Sequence, residues 1–269
     1  MASKYIVYSL LILLLAIGIM CVVSLIVKLI FKVKIKKVVL GVVAATSFLI
    51  SLIVAASIYL NNYNHADASV EKYLTSNEEV SVTKIDSGYY FDGKEKKDLI
   101  IFYPGAKVEA KAYAPLLYQL AQKGYDSVLI EMPFNIAILG KNKADNIINN
   151  YSYENYYLSG HSLGGAMASI YVNQHDNIKG LILLASYSTK EIDIPVLSIY
   201  GSRDGVLKLD AYNSYKENIK NVEEHIIEGA NHSGFAYYNT QSDDNISFIT
   251  IDNQIDITIN YIDNFINKR

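Results

Sequence analysis

The chain opens with two long apolar runs, and short apolar runs follow them. From Tyr5 to Val27, and again from Val38 to Leu60, the sequence has no charged side chain. Each run holds 23 residues, which as a helix is long enough to cross a bilayer hydrocarbon core of about 30 Å. The pattern therefore predicts two transmembrane helices, at about residues 5–27 and 38–60, that anchor the chain in a lipid bilayer as a hairpin.

Two kinds of processing offer other interpretations of the first run. A cleavable signal peptide is one, but its apolar stretch usually covers only about 7–15 residues. Lipoprotein processing at Cys21 is the other, but Ile19 and Met20 lack the small side chains that such a site prefers. A retained hairpin is the simpler interpretation.

The remainder of the chain reads as a linker and one folded domain. Residues 61–79 are polar and predict a juxtamembrane linker, so the domain is expected over residues 80–269. Short apolar runs bounded by turn residues indicate buried strands at SVTKI, DLIIFY, SVLIEM, NYYLSG, KGLILLAS, IPVLSIYG and EEHIIEG. Helical patterns lie at 109–123, 137–149, 164–174, 208–219 and 252–267. This alternation predicts an α/β fold with a mainly parallel sheet, helices on both faces and a ligand site beyond the carboxyl ends of the strands.

Charge and cysteine content exclude several functions and chemical groups from the domain. Six of the 24 basic residues precede the first acid, Asp67, so 18 basic and 27 acidic side chains remain for the rest of the chain, a charge of about −9. A domain of this charge is not expected to bind nucleic acid. The only cysteine is Cys21, which excludes disulfides and cysteine nucleophiles from the domain.

The segment Gly160-His161-Ser162-Leu163-Gly164 has the G-x-S-x-G pattern of a nucleophile elbow. It follows the predicted strand NYYLS and precedes a predicted helix, which is the strand–turn–helix context that such an elbow requires. We expect Gly160 and Gly164 to leave space where a Cβ would collide with neighbouring chain, and Ser162 to adopt a strained backbone conformation. The alternative is a glycine-rich turn that only caps the helix.

A serine nucleophile needs a base, and the base needs an acid that orients it. Asp204 follows the strand IPVLSIYG and His232 follows the strand EEHIIEG, in the order Ser, Asp, His that this architecture uses. Asp210 and Asp193 are the rival acids. The other histidines fit less well, because they lie in the linker, in the elbow, at a helix end or inside a strand: His65, His161, His175 and His225.

The tetrahedral intermediate needs two N–H donors around its oxyanion. The first is expected from Leu163, the residue after the nucleophile. The second is expected from the loop after DLIIFY, with Ala106 favoured and Gly105 or Lys107 as the alternatives.

Several ordered motifs together resemble the α/β-hydrolase superfamily, and within it a compact dienelactone-hydrolase-like branch. They are GHSLGG, IFYPGAKVEAKAYAPLLYQLAQKGY, IEMPFN, LILLASYS, VLSIYGSRDG and GANHSGF, across roughly residues 80–268. The resemblance implies a nucleophile at Ser162, an acid at Asp204 and a base at His232. The sequence departs from the family pattern in the loop after DLIIFY, which is expected to supply the second oxyanion donor. Many members have His-Gly there, whereas this chain has Pro104-Gly105.

These features predict a membrane-anchored serine hydrolase that cleaves an ester through an acyl-enzyme and requires no metal or organic cofactor. An acyltransferase or serine peptidase could use the same residues, and a non-catalytic binding domain is the alternative from another class. About 40 residues separate Ser162 from Asp204, too few for a large cap domain. We therefore expect an open site for small or short-acyl esters, with walls at residues 132–135 and 235–238.

The lysines between the apolar runs predict the orientation of the chain. Five of them lie between Lys28 and Lys37 with no acid among them, and basic loops of this kind remain in the cytoplasm. The catalytic domain is then expected to be extracytoplasmic. The glycosylation sequon at Asn231 favours a bacterial source, because a glycan beside the base would obstruct the site.

Overall fold

The computed structural model describes residues 15–26, 28 and 37–268, without the side chains of residues 37–40, 95 and 96. The chain divides into two compact units, with the boundary between Asn62 and Tyr63.

The first unit contains two described helices, α1 (Leu15–Ile26) and α2 (Lys37–Asn61). Within the described residues, one helix is long and apolar enough to cross a membrane, by length and composition only: the Gly41–Asn61 part of α2. The first predicted span lies partly outside the described residues, and its described part is α1. The prediction of two transmembrane helices is therefore not supported: the described residues contain one helix with the length and composition of a membrane span.

The second unit contains an eight-stranded sheet with the spatial order β1-β2-β4-β3-β5-β6-β7-β8. The strands are β1 (Ser81–Ile85), β2 (Gly88–Asp92), β3 (Glu95–Tyr103), β4 (Tyr125–Ile130), β5 (Asn155–His161), β6 (Gly180–Leu184), β7 (Val196–Gly201) and β8 (Val222–Ile227). The helices are α3 (Ala114–Gln122), α4 (Ala144–Asn150), α5 (Leu163–Val172), α6 (Leu209–Lys216) and α7 (Ile251–Asn267). Strands β3 to β8 pair in parallel, and β1 and β2 add an antiparallel edge. The predicted mainly parallel α/β fold is confirmed.

All seven predicted strands are present, and the sheet contains one more strand, β2, that the sequence pattern does not predict. The segment Gly88–Asp92 pairs with β1 across a tight turn at Asp86 and Ser87, and with β4 on its other side. Its short run of aromatic residues is flanked closely by turn residues, so it carries little periodicity of its own.

Alternating side chains of the central strands pack into two separate apolar cores, one on each face of the sheet. In β3, Ile100 and Phe102 point to the core beneath α3 and α7, whereas Leu99 and Ile101 point to the core beneath α4 and α5. All four side chains are buried. Because both faces are covered, the carboxyl edge of the sheet is where loops can form a ligand site.

Residues 63–79 are folded, although a linker was expected there. Asn64 N–H donates to Lys107 O at 2.7 Å, and Glu109 N–H donates to Asn64 O at 2.9 Å. A short 3₁₀ helix then runs over Ala68–Leu74 and buries Val70 completely. The folded unit therefore begins at Tyr63 and not near residue 80. The few apolar side chains of this segment, among many polar ones, gave too weak a pattern to predict this packing.

Candidate functional site

Ser162 lies alone between the end of β5 and the start of α5, in a strained backbone conformation. Its φ and ψ are 52° and −124°, a region that L-residues rarely adopt and that often marks functional sites. The main chain is held there by Ser162 N–H, which donates to Leu184 O at 2.9 Å, and by Ser186 Oγ, which donates to Ser162 O at 2.7 Å. The strained elbow that the sequence predicts is present.

The two elbow glycines permit close contacts between main-chain segments. A Cβ at Gly160 would lie 2.6 Å from the carbonyl carbon of Gly164, and a Cβ at Gly164 would lie 2.1 Å from Tyr103 O and 2.3 Å from Pro104 O. The expected collisions are thus confirmed. The second contact also shows that the loop after β3 lies directly against the first turn of α5.

Asp204 and His232 meet at the carboxyl edge of the sheet, after β7 and β8. His232 Nδ1 lies 2.8 Å from Asp204 Oδ2. The other carboxylate oxygen, Oδ1, accepts hydrogen bonds from Val206 N–H at 2.9 Å and Leu207 N–H at 2.7 Å. An acceptor this firmly held places the imidazole proton on Nδ1, so the lone pair is on Nε2.

His232 also contacts the elbow. The ring of His161, the residue before Ser162, has its centroid 4.5 Å from that of His232. The His232 Nε2 atom is buried and has no hydrogen-bond partner among the described residues. The structure therefore brings His232 to the elbow but forms no hydrogen bond from Nε2 to Ser162. Such bonds often form only when substrate is bound.

The rival acids, and His225 among the other histidines, lie elsewhere. Asp193 is exposed and pairs with Lys220 at 2.6 Å, and Asp210 is in the first turn of α6. His225 contacts Glu223. Within the described chain, Asp204 is the carboxylate that pairs with His232.

The loop after β3 leaves one main-chain donor unoccupied. Gly105 N–H donates to Tyr113 Oη at 3.1 Å, and Lys107 N–H donates to Asn135 O at 2.7 Å. No group in the described part of the chain accepts a hydrogen bond from Ala106 N–H or from Leu163 N–H. This loop lies against the start of α5, so both amides belong to segments that meet at the elbow.

One wall of the expected site is different in the structure. Phe235 and Ala236 are completely buried, and Tyr238 is nearly so. The Phe235 ring packs 5.5 Å from that of His161, as part of the core. In the other expected wall, Phe134 is 59% exposed. The prediction of a wall at residues 235–238 is therefore wrong for these three side chains, since the sequence does not show which way this short aromatic run faces.

Asp244 is a residue of the site that sequence reasoning missed. Its Oδ1 accepts hydrogen bonds from Gly205 N–H at 3.1 Å and His232 N–H at 3.2 Å, and its Oδ2 accepts one from Ser233 N–H at 2.8 Å. One carboxylate thus ties the loop of the acid to the loop of the base. It lies in a polar segment before α7, where the sequence offers no signal that distinguishes it from neighbouring Asp243.

Burial and charge also act on His161. Burial, with a smaller contribution from nearby His232, holds the pKa of His161 well below its ordinary value, so this ring is neutral. No group of three His, Cys, Asp or Glu side chains suited to a metal ion occurs among the described residues. That no cofactor is required stays an expectation.

The sequence pattern of the Alpha/beta hydrolase family matches residues 99–256, more than half of the chain. The chain belongs to this family. The dienelactone-hydrolase-like branch stays a prediction, because the match is to the family as a whole. No curated protein matches the chain in sequence.

Solved structures share the fold at low sequence identity. TT1662 from Thermus thermophilus superposes with a TM-score of 0.55 at 13% identity, covering 71% of this chain and 99% of its own. A putative lipase from Acinetobacter baumannii AYE gives 0.54 at 13% identity, covering 75% and 95%. Esterase 2 from Thermogutta terrifontis gives 0.51 at 13% identity, covering 72% and 96%. At these identities the likeness shows the fold alone.

Proposed function

We propose that this hydrolase is a serine carboxylesterase with Ser162 as nucleophile, His232 as general base and Asp204 as the residue that orients the base. The amides of Leu163 and Ala106 bind the oxyanion. The observation that carries the proposal is the buried His232. One ring nitrogen is held by Asp204, the other has no hydrogen-bond partner among the described residues, and the ring contacts His161 of the elbow.

The reaction proceeds through an acyl-enzyme. Ser162 Oγ bonds to the ester carbonyl carbon while its proton passes to His232 Nε2. The carbonyl electron pair moves to the oxygen, which the two amides stabilise. When that pair returns, the bond to the alcohol oxygen breaks and the alcohol takes the proton from Nε2. Water then repeats the sequence on the acyl-enzyme and releases the acid.

The substrate is a small or short-acyl ester. Residues between Ser162 and Asp204 are occupied by α5, β6 and β7 and their connections, which supports a site without a large cap domain. The exposed ring of Phe134, in the loop after β4, offers apolar surface at the carboxyl edge. An open, shallow site favours acyl groups that need little burial.

The domain is anchored to the cell membrane and lies outside the cytoplasm. Support for the anchor comes from α2, whose Gly41–Asn61 part has the length and composition of a membrane span. Support for the orientation comes from the lysines between Lys28 and Lys37, which favour a cytoplasmic location for that segment.

An activity profile of the detergent-solubilised full chain tests the proposal. p-Nitrophenyl esters of increasing acyl length, an alcohol acceptor and peptide anilides are compared, with Ser162→Ala as control. We expect fastest hydrolysis of the shortest esters and a loss of about 10⁴-fold or more in Ser162→Ala. Preference for peptides or for transfer to the alcohol would replace the esterase with a peptidase or acyltransferase. No turnover of any of these substrates would favour a binding domain.

A further inference from the structure

Tyr113 joins the loop after β3 to the elbow. It ends a short 3₁₀ helix, Ala110–Tyr113, that leads into α3, and its side chain is completely buried. Its hydroxyl accepts the hydrogen bond from Gly105 N–H at 3.1 Å and lies 2.7 Å from His161 Nδ1. A single oxygen therefore contacts both the loop that supplies Ala106 and the residue that precedes Ser162.

Only one of these two hydrogen bonds has a fixed direction. Gly105 N–H donates to the Tyr113 oxygen, whereas the Tyr113 hydroxyl and His161 Nδ1 share the second bond, whose donor is set by the tautomer of His161. Burial raises the pKa of Tyr113 well above its ordinary value and holds that of His161 well below its own. Both groups are therefore neutral, so neither hydrogen bond of the Gly105–Tyr113–His161 chain is lost by titration across the working pH range.

Contacts on both sides fix the peptide that contains Ala106 N–H. A Cβ at Gly105 would lie 2.8 Å from His161 Nδ1 and 2.9 Å from Tyr113 Oη, so this main chain is pressed against the two side chains. On the other side, Lys107 has a φ of 60° and its N–H is bonded to Asn135 O. Ala106 N–H lies between two anchored neighbours, and its direction depends on both.

We propose that Tyr113 is a positioning residue of the oxyanion hole: its hydroxyl, bonded to Gly105 N–H and His161 Nδ1, fixes the direction of Ala106 N–H relative to Leu163 N–H. This role rests on the proposed serine esterase function. It extends that function because Tyr113 contacts no reacting atom and acts through the loop. The rigid contact preorganises a donor for charge that develops only in the transition state.

The variant Tyr113→Phe removes one oxygen and keeps the ring. Loss of one oxyanion donor costs about 10²–10³ in kcat in a serine protease, so a misaligned donor is expected to lower kcat by about 10- to 100-fold with KM within about twofold. A preorganised oxyanion hole should affect kcat and not KM, because the carbonyl oxygen of the bound substrate interacts only weakly with the two amides before charge develops on it. Tyr212→Phe is the matched control: Tyr212 is 2% exposed and its hydroxyl lies 2.8 Å from Ser198 Oγ, in another part of the core.

A comparison of an ester with its thionoester separates positioning from general structural damage. Sulfur accepts hydrogen bonds more weakly than oxygen, so the wild type should prefer the ester strongly. In Tyr113→Phe that preference should shrink by about the factor lost in kcat, while Tyr212→Phe keeps it. If Tyr113→Phe does not fold, His161→Leu removes the hydrogen-bond partner of the same hydroxyl and should shrink the preference as well.

The outcomes distinguish this role from the function on which it rests. Wild-type kcat in Tyr113→Phe, or a lower kcat with an unchanged ester-to-thionoester ratio, would overturn the positioning role alone. A wild-type chain that hydrolyses no ester and is not labelled by a fluorophosphonate would overturn the proposed function and this role with it.

Discussion

The carboxylate of Asp204 and the imidazole of His232 share a buried hydrogen bond of 2.8 Å, with side chains 2% and 1% exposed. Such a pair is held in one tautomer and shielded from solvent, and its geometry leaves His232 Nε2 as the only ring nitrogen able to accept a proton. A carboxylate can also stabilise the imidazolium that forms when His232 accepts a proton.

We expect Asp204→Asn to lower kcat by about 10³- to 10⁴-fold while the fold remains intact, because the amide can stabilise the wrong tautomer of His232. Ester hydrolysis and the melting temperature measure the two effects. Asp193→Asn, at an exposed aspartate paired with Lys220, should behave like wild type. A loss of less than about tenfold in Asp204→Asn would show that Asp204 does not orient the base.

Asp244→Ala should lower kcat by about tenfold or more and also lower the melting temperature. The substitution leaves Gly205 N–H, His232 N–H and Ser233 N–H without their shared acceptor. The last two bonds are partly buried, and a buried donor left unpaired costs about 1–3 kcal/mol. Asp243→Ala is the control, since Asp243 is exposed and contacts only Ser242 through its side chain among the described hydrogen bonds. Equal kinetics in the two variants would contradict this role.

Local sequence patterns predicted most of the fold because each strand is a short apolar run bounded by turn residues. The elbow was predictable for a related reason: Gly160, Ser162 and Gly164 carry steric requirements that few other residues meet. Asp204 and His232 could be chosen because each follows a strand in a sheet whose parallel strands end at one edge.

Contacts between distant segments could not be predicted where neither a motif nor a strand end marks them. Tyr113 meets His161 from 48 residues away and Asp244 meets Gly205 from 39 residues away, and neither pair has a spacing that reports proximity. The folded segment 63–79 was missed for the same reason, since it is held by Lys107, Glu109 and Tyr237. For the membrane anchor, the apolar composition predicted two spanning helices, whereas the described residues support one.

The free energy of unfolding should depend on pH through His161. Its pKa in the folded protein lies well below the ordinary 6.5, so the unfolded chain binds a proton that the folded chain does not as the pH falls below about 6.5. The stability that the neutral ring contributes is complete above that pH and is lost at up to about 1.4 kcal/mol per pH unit toward the lower pKa.

Denaturant unfolding of the full chain in detergent, followed by tyrosine circular dichroism, measures this dependence. Between pH 6.5 and 5, we expect the free energy of unfolding to fall more steeply for the wild type than for His161→Asn. The difference in slope should be at most that of one bound proton, about 1.4 kcal/mol per pH unit. His65→Asn, at an exposed side chain, controls for loss of a histidine. Equal slopes in wild type and His161→Asn would show that His161 is not the buried neutral group described above.

Membrane topology can be tested with one introduced thiol. The natural chain has a single cysteine, Cys21, so a Cys21→Ala background is free of thiols. Ser214→Cys places a thiol on the exposed surface of α6, and a membrane-impermeant maleimide should label it in intact cells. Labelling only after permeabilisation would place the domain in the cytoplasm, where its substrate would then be sought.

Labelling by a fluorophosphonate, localised by mass spectrometry, tests whether Ser162 is the nucleophile. We expect one adduct per chain, on Ser162, with a labelling rate that falls sharply in His232→Ala and no labelling in Ser162→Ala. Asp210→Asn, at the rival acid in α6, should label at the wild-type rate. A folded wild-type chain that forms no adduct, or forms one on a residue other than Ser162, would contradict the assignment of Ser162 as the nucleophile.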